Sequence, residues 1–259
     1  MTLHTPVTAV PINARKFVLA TDLDGTFLGG SEAERKTLYD WIEANRDTIG
    51  LIFVTGRDPK FIGELCGSGV PWPEYVIGDV GTTIARVHNR VIEPIVPLEE
   101  DIASRWGNAG DAVRAALHGH PGLTLQPTEF RYRVSYNLHP GSFDAAAHEI
   151  VEKLGHDTLV SDNKYFDVLP RGVSKGPSLQ RLVTHLEIPP ELVLAAGDTM
   201  NDLSMLQCGL PAVAVGGSEP DLLSRVKDLT QVHKATAIGA AGILEAVAVR
   251  NLHPTPKGD

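Results

Sequence analysis

Five short apolar runs along the chain each stop abruptly at small or polar residues. Phe17-Val18-Leu19-Ala20 runs into Thr21-Asp22, Leu51-Ile52-Phe53-Val54 into Thr55-Gly56-Arg57, and Tyr75-Val76-Ile77 into Gly78-Asp79. Val193-Leu194-Ala195-Ala196 runs into Gly197-Asp198, and Pro211-Ala212-Val213-Ala214-Val215 into Gly216-Gly217. Uninterrupted apolar runs suit strands covered on both faces, as in a parallel sheet. Helical spacing fills the intervals. Ser31 followed by Glu34 predicts a capping box, with Leu38, Trp41 and Ile42 as the apolar stripe behind it. After Lys175, the residues Leu179, Leu182, Val183 and Leu186 recur at helical spacing, and a last helix is expected near Ile243 to Val249. Strands alternating with helices predict an open, doubly wound, mostly parallel α/β sheet. Ligands bind such sheets at the carboxyl ends of the strands, where the polar residues named above stand.

The middle of the chain has a different pattern. From Arg131 to Leu138, Tyr132, Val134, Tyr136 and Leu138 fall on one face, and Arg131, Arg133, Ser135 and Asn137 on the other. That alternation predicts a half-buried antiparallel strand. Glu129 stands just before it. Helical patterns flank it near Leu98 to His118 and Phe143 to Leu154, and a further strand is expected over Tyr165 to Leu169. Residues 86–170 therefore read as an inserted α+β module, with residues 1–85 and 171–259 forming the core around it. The start of the chain, Met1 to Ala14, reads as a loose leader, and the tail Asn251 to Asp259 as a frayed end.

Composition narrows the partners. An apolar fraction of 42% supports a sizeable core, and a net charge of −9 without a Lys/Arg cluster argues against nucleic acid. No apolar run is long enough to span a membrane. Cys66 and Cys208 make no metal-ligand motif and suit a reducing cytoplasm. No obligate protein partner is evident. His118-Gly119-His120 precedes Pro121 and reads as a turn rather than a metal pair, since no third ligand is near in sequence.

The candidate chemistry begins at Asp22-Leu23-Asp24-Gly25-Thr26. Two carboxylates leaving a buried strand are costly unless a cation or a proton compensates them. Gly197-Asp198-Thr199-Met200-Asn201-Asp202 is a second acidic group after a second buried strand. Two such groups can converge on one Mg2+, which takes a few carboxylates and completes its octahedron with water and substrate phosphate. Thr55-Gly56-Arg57 offers a hydroxyl and backbone donors, as a phosphate cradle needs. Lys175 stands at a predicted helix start, where a cation opposes the helix dipole, and this conflict points to a neighbouring anion.

In this order, DLDGT at 22–26, VTGR at 54–57, Lys175 and GDTMND at 197–202 resemble the haloacid dehalogenase-like phosphatase superfamily. The resemblance covers roughly 17–85 and 171–245. It implies a Rossmann-like core with an inserted α+β cap. YRVSYNL at 132–138, FDVLPRGVSKG at 166–176 and GAAGILEA at 239–246 are most similar to sucrose-phosphate phosphatases and relatives acting on phosphorylated disaccharides. That resemblance implies Asp22 as nucleophile, Asp24 as general acid and then base, Thr55 as a phosphoryl ligand, and Lys175 as charge stabiliser. It implies a Mg2+ cofactor held by Asp22, the main-chain carbonyl of Asp24, Asp198 and, through water, Asp202, with Asn201 helping. Gly56, Arg57, Asp79, Arg133, Ser135, Asn137, Lys164, Asp167, Arg171 and Asn201 are the expected substrate contacts. The expected activity is hydrolysis of a small sugar phosphate, most simply a sucrose 6-phosphate or mannosylfructose-phosphate type substrate. A mannosyl-3-phosphoglycerate-type substrate is the alternative, since Arg131, Arg133 and Lys164 could meet its carboxylate. A mutase and a non-catalytic sugar-phosphate binder are the competing classes.

Overall fold

The computed structural model describes residues 10–128 and 130–256. Residues 1–9 of the expected leader, Glu129 and residues 257–259 of the tail lie outside them. Residues 12–14 of the leader form one short turn of 3-10 helix.

The larger sheet holds eight strands. In chain order they are β1 (Phe17–Thr21), β2 (Ile49–Val54), β3 (Tyr75–Gly78), β4 (Thr83–His88) and β5 (Val91–Pro94), then β10 (Val193–Gly197), β11 (Ala212–Gly216) and β12 (Val232–Ile238). Between them fall the four strands of a separate sheet: β6 (Leu123–Leu125), β7 (Val134–Leu138), β8 (His156–Ser161) and β9 (Tyr165–Pro170). The large sheet runs β12-β11-β10-β1-β2-β3-β4-β5, parallel from β12 to β3 and antiparallel at β4 and β5. The small sheet, β6-β7-β9-β8, is antiparallel throughout.

Alternate residues of each central strand serve opposite faces. Val18 and Ala20 of β1, with Ile52 and Val54 of β2, pack with Leu179 and Leu182 of α6 (Lys175–His185). Phe17, Leu19, Leu51 and Phe53 face the other way, onto Leu38 and Ile42 of α1 (Glu32–Ala44) and Ile243 and Val247 of α9 (Gly239–Val249). Each fully buried aromatic or aliphatic side chain of this kind stabilises the fold by about 1.5–3 kcal/mol. The remaining core helices are α2 (Pro59–Gly67), α7 (Leu203–Leu206) and α8 (Pro220–Val226). The capping box at α1 is complete: Ser31 Oγ accepts from the Glu34 amide, and Glu34 Oε2 accepts from the Ser31 amide. Helices α3 (Val96–Trp106), α4 (Ala109–Ala116) and α5 (Ala146–Lys153) accompany the small sheet, and Val113 and Val151 close its core against Val134, Tyr136, Phe166 and Val168.

Two sequence expectations change. Residues 86–94, assigned to the insert, continue the large sheet as the second half of β4 and all of β5. Their short mixed segments read like the insert, but β4 hydrogen-bonds back along β3 from Gly78 to Tyr75. The strand expected over 131–138 begins only at Val134. Arg131 turns aside to pair with Glu99 of α3; from Val134 onward Val134, Tyr136 and Leu138 share one core as predicted, but the opposite face is not open, since Ser135 is buried too. Among the described residues no helix is long and apolar enough to cross a membrane.

Candidate active site

Asp22 is the first residue beyond β1, and its amide is still tied to the Ala196 carbonyl of the neighbouring β10 at 2.9 Å. The chain then reverses through Leu23–Phe27, which Gly25 permits with φ +81°. A Cβ at Gly25 would lie 2.2 Å from Asp198 Oδ2, so the turn that presents Asp22 is pressed against the second acidic group. Asp198 stands at the end of β10, and Thr26 Oγ1 donates to its Oδ1 at 2.6 Å. Beyond it the turn Met200–Asp202 is held by a second capping box, in which Asp202 Oδ2 accepts from the amides of Asp198 and Thr199 at 3.0 and 3.1 Å.

Lys175 opens α6, as predicted, and is completely buried. Gly176 allows this depth, because a Cβ there would lie 2.0 Å from the Ser204 carbonyl oxygen of α7. The ammonium donates to Asp22 Oδ1 at 2.6 Å, Asp202 Oδ1 at 2.6 Å and Asn201 Oδ1 at 2.7 Å. These partners explain a cation at a helix start. Burial alone would push its pKa down, but Asp202 and Asp22 outweigh burial and hold it above the ordinary lysine value.

The carboxylates feel the opposite pressure. Burial, with Asp202 and Asp198 nearby, raises Asp22 well above the usual aspartate range against the pull of Lys175. Burial and then Asp202 push Asp198 up to about 7, against the Thr26 hydrogen bond. Ligand oxygens of Asp22, Asp198 and Asp202 lie within 4.8 Å of one another. Three carboxylates against one ammonium leave two negative charges in a buried setting, which a divalent cation would balance. The donors are all hard oxygens, so the set fits Mg2+ rather than a thiophilic metal. Both Asp202 oxygens are already engaged by the protein, whereas Asp22 Oδ2 and Asp198 Oδ2 accept no hydrogen bond among the described residues. His118 and His120 join no such group among the described residues.

A cleft of about 490 Å³ separates this cluster from the inserted sheet. Asp22, Asp24, Thr55, Gly56, Arg57 and Asn201 line its core side, and Arg133 and Asp167 its far side. Thr55 is buried at the end of β2, and its Oγ1 accepts from the Arg57 amide at 3.2 Å. The Arg57 guanidinium forks onto Asp24, with Nε 3.0 Å from Oδ2 and Nη2 3.4 Å from Oδ1.

Arg133 comes from the insert and reaches the core. Its Nη1 donates to Asp167 Oδ1 at 3.3 Å and its Nη2 to the Gly56 carbonyl at 3.5 Å, with Asp79 Oδ1 3.6 Å away. Its guanidinium carbon sits 3.6 Å over the Phe130 ring centroid. Ser135 also donates to Asp167, so it buttresses that carboxylate from behind. Burial raises the Asp167 pKa, and Arg133 and Ser135 oppose the rise.

The other expected contacts lie elsewhere. Asp79 accepts from Thr83 Oγ1 at 2.7 Å beneath Arg133 and does not line the cleft. Asn137 accepts from Gln126, one strand further along the small sheet. Lys164 is exposed in the β8–β9 hairpin and pairs with Asp162 at 2.7 Å. Arg171 lines a separate cavity of about 590 Å³ behind the return to the core. In their place the fold brings Gln126, Ser161, Asp162, Tyr165 and Thr199 to the cleft. Of the residues missed from sequence, Thr26 lay inside the DLDGT motif, whereas the hairpin residues carried no periodic or motif signal.

GAAGILEA also acquires a physical role. A Cβ at Gly239 would lie 2.3 Å from the Gly29 carbonyl carbon, and the Ala240 amide donates to the Gly29 carbonyl at 3.3 Å. Helix α9 therefore backs directly onto the turn that presents Asp22.

A core of this topology with acidic strand ends is matched by known proteins. The sequence pattern of sucrose-6F-phosphate phosphohydrolase matches residues 15–249, which is most of the chain. The chain belongs to the sucrose-6F-phosphate phosphohydrolase family. It is similar to glucosylglycerol-phosphate synthase of Pseudomonas anguilliseptica, with 42% identity over 233 residues, 88% of this chain but only 30% of that protein. It is 30% identical to mannosylfructose-phosphate phosphatase of Agrobacterium fabrum, covering 92% of this chain and 98% of the relative. The crystal structure of sucrose-phosphatase from Synechocystis sp. PCC6803, in complex with sucrose and phosphate, superposes with a TM-score of 0.81 at 26% identity. It covers 92% of this chain and 98% of that one. The chain spans less than two thirds of the length of several curated relatives it matches, and it shares with the haloacid dehalogenase-like phosphatases the predicted α/β core and a further α+β unit.

Proposed function

We propose that this protein removes phosphate from a phosphorylated glycoside by way of an aspartyl-phosphate on Asp22. The observation that carries the reading is the state of Asp22: buried, with Oδ1 bonded to Lys175, Oδ2 accepting no hydrogen bond among the described residues, and the carboxylate grouped with those of Asp198 and Asp202. A carboxylate in that state suits nucleophilic attack, and a binding protein would not need it.

Asp22 Oδ2 attacks phosphorus as the bond to the glycoside oxygen breaks. Thr55 and the amides of the neighbouring turns hold the phosphoryl oxygens. Lys175 opposes the upward push of burial on Asp22 and orients it, and it offsets the repulsion between a carboxylate and a phosphate dianion. Asp24, at the mouth of the cleft, protonates the leaving alkoxide and then takes a proton from the water that cleaves the acyl phosphate. General acid–base help of this kind contributes about 10²–10⁴-fold. Asp22, Asp198 and the Asp24 main-chain carbonyl would hold Mg2+, with Asp202 positioning them. When bound, that ion supplies charge neutralisation for the phosphoryl group.

For the glycosyl group, a disaccharide phosphate of the sucrose 6-phosphate or mannosylfructose-phosphate type agrees with the family pattern and the full-length match to the Agrobacterium phosphatase. A glucosylglycerol phosphate is the second reading, favoured by the 42% identity to the synthase that bears that name. The deciding experiment measures phosphate release from sucrose 6-phosphate, mannosylfructose phosphate, glucosylglycerol phosphate and simple hexose phosphates, with magnesium and then with excess chelator. Chelator-sensitive release from one glycoside phosphate supports the proposal and names the substrate. Release from hexose phosphates alone overturns the glycoside, and release indifferent to chelator overturns the metal.

A further inference from the structure

A substrate with a carboxylate beside its phosphate needs an uncommitted cation to meet it. The cations that the sequence offers for this are not free in the cleft. Arg131 pairs with Glu99 and, like Lys164, does not line the cleft, and Arg133 pairs with Asp167 at 3.3 Å. Among the described residues the only basic side chains lining the cleft are Arg57 and Arg133, and Arg57 is forked onto Asp24. Four carboxylates line the same space: Asp22, Asp24, Asp162 and Asp167. The first two belong to the phosphoryl end, and the Asp167 charge is matched by the buried Arg133.

Asp162 differs from these. It sits at the tip of the β8–β9 hairpin, which projects Ser161 and Tyr165 into the cleft beside it. The turn is tight: Asp162 and Asn163 have φ of +52° and +48°, and the Lys164 amide donates to the Ser161 carbonyl at 3.0 Å. Successive left-handed residues give the hairpin turn that Asp and Asn tolerate, so this carboxylate is held on a stiff support. Among the described residues its only ion-pair partner is the Lys164 ammonium, and with the two side chains 67% and 54% exposed water and salt screen the pair heavily.

We propose that Asp162 is a specificity-determining residue that acts as a charge filter, turning away phosphorylated glycosides that carry a carboxylate and favouring neutral polyhydroxyl glycosyl groups. The inference rests on the glycoside-phosphate reading of the cleft. It removes the mannosyl-3-phosphoglycerate alternative on electrostatic grounds rather than on shape.

The test compares kcat/KM for sucrose 6-phosphate and for mannosyl-3-phosphoglycerate at low and at high salt, in the magnesium-supplemented wild type, Asp162→Asn and Lys164→Ala. Asn retains the left-handed turn, so Asp162→Asn keeps the hairpin. The expected wild-type ratio favours the neutral substrate. Asp162→Asn should raise the relative efficiency on the carboxylated one about three- to five-fold, and Lys164→Ala should lower it. Both shifts should shrink at high salt. A structural disturbance would not move the ratio in opposite directions with salt-sensitive size. Equal wild-type efficiencies, shifts of the same sign, or shifts indifferent to salt would overturn the filter while leaving the glycoside reading intact. If the wild type releases phosphate from hexose phosphates but from no glycoside phosphate, the glycoside reading falls, and the filter with it.

Discussion

Replacing Lys175 with methionine keeps the length of the side chain and removes its charge. The ammonium it deletes is completely buried and donates to two carboxylates at 2.6 Å each and to the Asn201 amide oxygen at 2.7 Å. A hydrogen bond to a charged group contributes about 1.5–3 kcal/mol. Deleting one member of a buried ion pair costs about 3–5 kcal/mol, because the partner charge stays behind without compensation. Here two partners stay behind, with Asp198 close by. Lys175→Met should therefore lose about 3–5 kcal/mol of metal-free stability at neutral pH, a large share of the roughly 5–15 kcal/mol of an ordinary domain. Urea unfolding measures this directly, since midpoint and slope are read together. Two controls sharpen it. The loss in the Lys175→Met/Asp202→Asn double variant should fall short of the sum of the two single losses by about 2 kcal/mol, which is the pairwise coupling. Magnesium should stabilise the variant more than the wild type, because it restores positive charge to the same cluster. A loss below about 1 kcal/mol, or a double variant whose losses simply add, would refute the buried ion-pair account. Lys175 would then act on phosphate alone.

Three further outcomes are expected. Asp22→Asn should abolish phosphate release while leaving the circular-dichroism spectrum and melting temperature at or above the wild-type values, since it removes a buried charge; near wild-type turnover would overturn the nucleophile. Gly25→Ala should lose at least about 1 kcal/mol through the φ of +81°, and most activity by displacing Asp198, whose Oδ2 lies 2.2 Å from the added Cβ; unchanged metal affinity and turnover would contradict that contact. The Glu245 carboxylate accepts from the Ala237 and Thr236 amides and from His233, which outweigh the upward push of partial burial and hold its pKa down to about 2. A pKa depressed in the folded state gives stability that is present above the ordinary carboxylate value and is lost as pH falls through about 2. Glu245→Gln should therefore flatten the acid limb of the stability profile below pH about 4.5, and an unaltered limb would show that these bonds contribute nothing.

Much of the core was legible because its signals are local. A run such as Leu51 to Val54 can sit only where both faces are covered, and the Ser31/Glu34 pair announces a helix start without reference to anything distant. The same locality explains the errors. β4 and β5 lie in the large sheet through hydrogen bonds to β3, and no residue within 86–94 encodes that partner. β8 and β12 mix polar and apolar residues; along β12 the burial alternates, which leaves no apolar run to recognise.

The site divides in the same way. The sequence by itself marked the groups proposed for phosphoryl chemistry, because a strand-end carboxylate, a second acid two residues on, a Thr-Gly-Arg turn and a lone cation each follow a particular strand or open a particular helix. It also marked the apolar face of β7. Only the tertiary structure decided which cap side chains line the cleft. Arg133, Asp167 and the 161–165 hairpin reach the cleft, whereas Lys164 and Arg171 do not, although all are polar residues in or just after the insert. A side chain's type states what it can bind, but its direction depends on strand register and on the ion pair it finds first. Both are settled by residues tens of positions away, as Arg133 is by Asp167.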